Sequence, residues 1–91
     1  MRVGIAGYGV VGKTRHKSIQ KNTSFQVTAI SEINYKARDS IPSGINVYND
    51  YKSLIADSDI DIIFISLPNQ FAAEASTLSL QKGLHVFCEK P

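Results

Sequence analysis

Two features of this 91-residue chain could do chemistry together. Gly7-Tyr8-Gly9-Val10-Val11-Gly12 is a G-x-G-x-x-G run, and each glycine has a task in a dinucleotide site. Gly7 permits a tight turn, Gly9 lets the backbone approach a pyrophosphate, and Gly12 lets a helix pack closely on a strand. A helix opening at Val10 and Val11 presents unpaired N–H groups and a partial positive charge to the phosphates. Tyr8, Val10 and Val11 therefore join the three glycines as candidate contacts. Glu32 follows roughly 20 residues after Gly12, the spacing at which a carboxylate accepts hydrogen bonds from both ribose hydroxyls. Glycine-rich turns are common, so the loop carries weight only through its position and its acidic partner. The competing reading is a structural turn with a surface glutamate.

These residues need a scaffold, and the apolar pattern supplies one. Short runs at residues 2–6, 25–30, 45–48, 60–65 and 84–87 read as strands. The four consecutive apolar residues from Ile62 predict a strand covered on both faces, as in parallel sheets. Helices are expected at 10–21, 35–40, 51–57 and 70–82. The first carries a thin stripe of Val10, Val11 and Ile19, and the third is capped by Asn49 or Asp50. In the last, Phe71, Ala75 and Leu78 share a face, and Gly83 follows as a stop. Strand and helix thus alternate throughout, which implies right-handed βαβ units in an α/β, Rossmann-like, doubly wound parallel sheet of about five strands. The glycine loop falls at the first strand-to-helix junction and Glu32 just past the second strand.

Composition excludes other classes. With 43% hydrophobic and 20% charged residues, the chain has the makeup of a globular domain. No apolar run approaches the ~20 residues of a membrane span, and the start lacks a signal-peptide layout. Cys88 is the one cysteine, so no internal disulfide forms, and two isolated histidines cannot complete a zinc cluster. A net charge of +2, dispersed along the chain, argues against nucleic acid or an anionic membrane as partner. A reducing, cytoplasmic compartment is the expectation.

The second half is more specific. Asp59-Ile60-Asp61-Ile62-Ile63-Phe64-Ile65-Ser66-Leu67-Pro68-Asn69 resembles a D-x-D-x-V-x-I-x-T-P-N stretch of one oxidoreductase family, and Gly83-Leu84-His85-Val86-Phe87-Cys88-Glu89-Lys90-Pro91 resembles its G-K-H-V-x-C-E-K-P signature. That family is the glucose–fructose oxidoreductase, inositol dehydrogenase and rhizopine-catabolism (Gfo/Idh/MocA) group. The resemblance covers all 91 residues. It implies that residues 7–12 cradle a pyrophosphate, that Glu32 holds the adenosine ribose, and that Leu67, Pro68 and Asn69 lie beside the nicotinamide ribose. Glu89 and Lys90 would close the site, with the Lys90 cation next to the nicotinamide and the substrate hydroxyl, as the catalytic candidate. The proline of the motif is often cis in such proteins; at Lys90–Pro91 cis and trans could coexist.

Two departures follow. Many relatives carry a histidine where this chain has Ala72. Relatives also continue through a sixth strand into a substrate domain, so residues 1–91 are expected to form a partial cofactor domain, with Leu84 to Phe87 left as an edge able to pair with another copy. The remaining polar residues read as structural. His16 matches a histidine often seen in that family's first helix but reads as a polar residue on a solvated face, His85 reads as a satisfied histidine within the fifth strand rather than a catalytic one, and Cys88 as a small buried residue. Asp57, Asp59 and Asp61 read as a solvated turn.

The resemblance implies NAD and hydride transfer to or from a sugar, polyol or related carbohydrate, with substrate contacts in the absent domain. Glu32 favours NAD, while Lys36 and Arg38 keep NADP open. The alternative is a non-catalytic nucleotide-binding or regulatory module.

Overall fold

The computed structural model describes residues 1–34, 38–57 and 59–89. Five strands form one parallel sheet: β1 (Arg2–Ala6), β2 (Gln26–Ser31), β3 (Asn46–Tyr48), β4 (Ile62–Ile65) and β5 (His85–Cys88). Their spatial order is β3-β2-β1-β4-β5, so the direction of winding reverses between β1 and β4. Helices α1 (Val10–Gln20), α2 (Tyr51–Asp57) and α3 (Asn69–Gln81) connect them. Each element lies within two residues of its expected bounds. The helix expected at 35–40 begins with Tyr35, Lys36 and Ala37, which lie outside the described residues, as do Lys90 and Pro91 and the bond between them.

The sheet divides the core in two. On one side Ile19 of α1 packs with Val3, Ile5, Val27 and Ile30. On the other, Leu54 and Ile55 of α2 and Ala72 and Ala75 of α3 pack with Ala6, Ile63 and Ile65. Central β1 and β4 are thereby covered on both faces, as continuous apolar runs require. Ile60 lies before β4 rather than in it, buried beside Gly4, where a Cβ would come within 2.6 Å of its Cδ1.

Several expectations are corrected. The buried face of α1 is Gly12, His16 and Ile19, while Val10 and Val11 stand exposed at its start. The buried face of α3 is Ala72, Ala75 and Ser79; Ala75 and the partly buried Leu78 pack on the core as expected, and Phe71 does not. Small residues let α3 sit close on the sheet, and Ser79 satisfies its buried hydroxyl by donating to the Ala75 carbonyl at 2.7 Å. Phe71 is 42% exposed and faces the cleft described below. Strand β5 is the last strand of the described sheet, and α3 covers only one side of it, through Val86. His85, on the face opposite Val86, is exposed; Cys88, expected to be buried, is exposed at the end of β5; and Phe87, 55% exposed, stacks on Phe64 with ring centroids 4.9 Å apart.

The acidic turn before β4 is an anchor for β1. Asp61 accepts the Arg2 backbone N–H at 2.8 Å, and Asp59 pairs with the Arg2 guanidinium at 2.6 Å. The side chain of Asp57 lies outside the description.

Candidate functional site

A cleft of about 650 Å³ opens at the C-terminal ends of β1, β2 and β4, where the winding reverses. Ligands of open α/β sheets bind at such a switch point. Of the residues expected at a site, Gly7, Gly9, Glu32, Leu67 and Pro68 line it. Sequence reasoning missed the others that matter here: Ser31, Ile33, Asn34, Tyr51, Ser66 and Phe71.

The glycine loop is built as its sequence demands. Gly7 has φ of +93°, and its N–H donates to the Ser31 carbonyl at 3.0 Å, tying the loop to the end of β2. A Cβ on Gly7 would fall 2.4 Å from the Ser66 carbonyl oxygen, and one on Gly12 would fall 2.1 Å from the Gly7 carbonyl oxygen. Both glycines are therefore required by close backbone approach. Gly9 is different: a Cβ there would meet nothing within 4 Å on this chain. Its bareness leaves open space over the start of α1. Gly9 is the N-cap, its carbonyl accepts the Lys13 N–H at 2.9 Å, and the N–H groups of the first helical turn have no intrahelical carbonyl to bind. That end of the cleft can receive an anion without moving any side chain.

Glu32 sits just past β2 with both carboxylate oxygens engaged by backbone. Oε1 accepts the Tyr8 N–H at 2.6 Å and Oε2 accepts the Asn34 N–H at 2.9 Å. Each oxygen keeps a further lone pair for a ligand hydroxyl. Arg38 donates its Nε to the Glu32 carbonyl at 2.5 Å, so a cation stands beside the acid. Lys36, the other cation near this position in sequence, lies outside the described residues.

The opposite wall follows β4. Leu67 and Pro68 form it, Pro68 is the N-cap of α3, and Asn69 is its first residue. The Ser66 hydroxyl is buried and lacks a hydrogen-bond partner, the only such side-chain atom among the described residues. Tyr51 and Phe71 complete the outer rim, rings 6.2 Å apart. The Tyr51 hydroxyl donates to Glu74, and that bond raises the phenol to about 12 and holds the Glu74 carboxyl below its ordinary range. Lys52 adds its ammonium 3.5 Å from Glu74. An open glycine cradle, an anchored acid with free lone pairs, an orphan hydroxyl and an apolar wall together fit a dinucleotide.

Six of the described candidates do not line the cleft: Val10, Val11 and Gly12 at the start of α1, Asn69 at the start of α3, and Tyr8 and Glu89. The Tyr8 side chain turns inward, 4% exposed, and its hydroxyl meets Nδ1 of His16 at 2.7 Å. His16 is 3% exposed, which corrects the solvated-face reading. The spacing Gly12, His16, Ile19 is itself a helical stripe facing the sheet and could have revealed this. Burial pushes the Tyr8 phenol up and the His16 imidazole down, so both are neutral. Glu89, just past β5, donates its N–H to the Ile65 carbonyl at 2.9 Å and pairs with Arg15 of α1, whose Nε reaches Oε1 at 2.6 Å. The Arg15 guanidinium also lies 5.9 Å from the Phe64 ring centroid. No local signal linked Arg15 to a residue 74 positions away.

Fold and cleft define a dinucleotide-binding α/β domain of the doubly wound class. Residues 1–91 match the model of the oxidoreductase family with an NAD-binding Rossmann fold. The chain belongs to that family, Gfo/Idh/MocA, as a NAD-binding Rossmann domain. Inositol 2-dehydrogenase of Salmonella typhimurium is 30% identical over 96 residues, covering 100% of this chain and 29% of the relative. The crystal structure of scyllo-inositol dehydrogenase from Lactobacillus casei, with NAD(H) and scyllo-inositol bound, is similar at a TM-score of 0.90 and 29% identity, covering 100% of this chain and 28% of that one. Biliverdin reductase from Synechocystis sp. PCC 6803, with biliverdin and NADP+, is similar at 0.86 and 28% identity, covering 99% and 29%. The chain thus spans under a third of the length of these relatives. No helix among the described residues is long and apolar enough to cross a membrane.

Proposed function

We propose that this chain is the cofactor-binding part of a cytoplasmic, NAD-dependent dehydrogenase acting on a polyol, sugar or related carbohydrate. The observation that carries the reading is the convergence of the bare Gly9 cradle, Glu32 and the Leu67–Pro68 wall on one cleft at the switch point. When bound, the nicotinamide supplies hydride chemistry; the protein's part is binding and orientation. Residues 7–12 hold the pyrophosphate through backbone N–H groups, Glu32 accepts the adenosine ribose hydroxyls, and Leu67, Pro68 and Asn69 border the nicotinamide half. Arg15 pairs with Glu89, and to Lys90, next in sequence, the family resemblance assigns the cation at the reacting centre.

A polyol substrate is supported by the inositol dehydrogenases among the relatives, and its pocket would lie in a further domain. Self-association is supported by the exposed β5 edge and Phe87.

The test has two arms. Calorimetric titration of the chain with NAD and NADP should show NAD binding at least tenfold tighter, because each hydrogen bond to a charged acceptor contributes roughly 1.5–3 kcal/mol. Joined to a relative's remaining length, the chain should reduce NAD with inositols, and Lys90→Ala should lower turnover more than cofactor affinity. Binding without turnover on any polyol or sugar would favour the non-catalytic module.

A further inference from the structure

The hydrogen bond between Tyr8 and His16 joins a buried phenol to a buried imidazole beside the glycine loop. Neither polar atom is required for packing. Tyr8 lies in the apolar cluster of Val3, Ile5 and Ile30, where a phenylalanine ring would fill the same space. Replacing both partners of a buried hydrogen bond by apolar groups of similar shape is close to neutral for stability. Such a pair is therefore better explained by geometry than by stability.

The geometry it fixes is that of the cleft. Tyr8 is the first residue after Gly7, and its own N–H donates to Glu32 Oε1 at 2.6 Å. Its side chain is moored to α1 at 2.7 Å, with the rings edge-on at 5.7 Å between centroids. One residue thus joins the first helix, the glycine loop and the ribose-side acid. Rotation of the Tyr8 backbone would withdraw that N–H from Glu32 and swing Gly9, the next residue, across the open space at the helix start.

We propose that Tyr8 and His16 are positioning residues for dinucleotide binding: the His16 Nδ1 holds the Tyr8 hydroxyl, and this sets the loop so that Glu32 and the Gly9 cradle face one ligand together. The inference rests on the dinucleotide reading of the cleft. Either neutral tautomer can make this contact; the proposed one has the hydroxyl as donor and Nδ1 as acceptor, with the imidazole proton on Nε2.

The 91-residue chain itself tests this by NAD titration, urea unfolding and ¹⁵N spectra of the histidine ring. Tyr8→Phe and His16→Leu should each weaken NAD binding about tenfold, and the double variant should lose no more than either, because the two act as a unit. The double variant should regain folding stability relative to the single variants while its affinity stays low. His16→Asn keeps an acceptor near Nδ1 and should bind within about threefold of the wild type. In the wild-type spectrum the Nδ1 resonance should show the unprotonated, hydrogen-bonded form, and Tyr8→Phe should shift it. Affinity that returns along with stability in the double variant would reduce the pair to a packing element and overturn the proposal, as would unchanged affinity in Tyr8→Phe. A wild-type chain that binds no NAD would instead overturn the dinucleotide reading, and the proposal with it.

Discussion

Replacing Glu32 by Gln separates ribose recognition from loop integrity. The Glu32 carboxylate accepts two backbone N–H groups, from Tyr8 at 2.6 Å and from Asn34 at 2.9 Å. An amide offers one oxygen, so one N–H must face an NH₂ donor. Losing a charge-assisted bond in this half-buried place costs about 2 kcal/mol, or about 10 °C in Tm for a domain of this size. Ribose recognition suffers separately. In the proposed complex the diol donates to the same carboxylate, and loss of one such bond should weaken NAD by about 2 kcal/mol, roughly thirtyfold in Kd. NADP presents a phosphate in place of one hydroxyl and gains from removal of the negative charge, so its affinity should hold or rise. Calorimetric titration of Glu32→Gln with both cofactors, below its unfolding temperature, reads this as a collapse of the NAD preference toward parity. NAD affinity within twofold of wild type would refute the reasoning. So would equal losses for both cofactors, which would place the damage in the loop.

Gly9→Ala should leave urea unfolding nearly unchanged but weaken NAD more than tenfold, since its Cβ meets nothing on this chain and fills the cradle; Gly12→Ala, with its Cβ 2.1 Å from the Gly7 carbonyl, should destabilise the fold by about 3 kcal/mol. The Ser53 N–H bonded to Asp50 at 2.7 Å holds that carboxyl below its ordinary pKa, so the cap of α2 contributes fully above the ordinary value of 3.8 and is lost as pH falls through the lower folded value. Acid unfolding of Asp50→Ala should therefore be shallower below pH 4, with about 1 kcal/mol lost at neutral pH. Arg15→Met removes the Glu89 pair and the cation over Phe64; hydrogen exchange should quicken at Cys88 and Glu89, while global stability falls by only about 1 kcal/mol because the pair is half exposed.

The strands were legible because continuous apolar runs such as Ile62 to Ile65 have one stable home, a sheet covered on both faces. Gly7, Gly12 and Glu32 were legible because their roles are set by backbone geometry at the βα junctions. What escaped depended on contacts between distant elements. His16 was misread because α1 carries few apolar residues, so its inward stripe of Gly12, His16 and Ile19 looked polar. Phe71 was placed in the core by periodicity, whereas Ala72 and Ser79 allow α3 to approach more closely and leave Phe71 at the cleft. His85 was expected to be satisfied within β5 and Cys88 to be buried, yet both are exposed, because only Val86 of this strand packs on α3 and on the other face α1 contributes the Arg15 contact over Phe64. The engagement of Glu32 by the Tyr8 N–H follows from the turn at Gly7, which no spacing in the sequence encodes.

The central claim, that one dinucleotide occupies the switch-point cleft, is tested most directly by titrating ¹⁵N-labelled chain with NAD and following the backbone amide resonances. Saturable shifts are expected at Gly7, Gly9, Val10, Val11 and Gly12, at Glu32 and Asn34, and at Ser66 and Leu67, with little change at Phe25, Phe64 and Phe87 across the sheet. Shifts confined to that far face, or none at millimolar NAD, would contradict it.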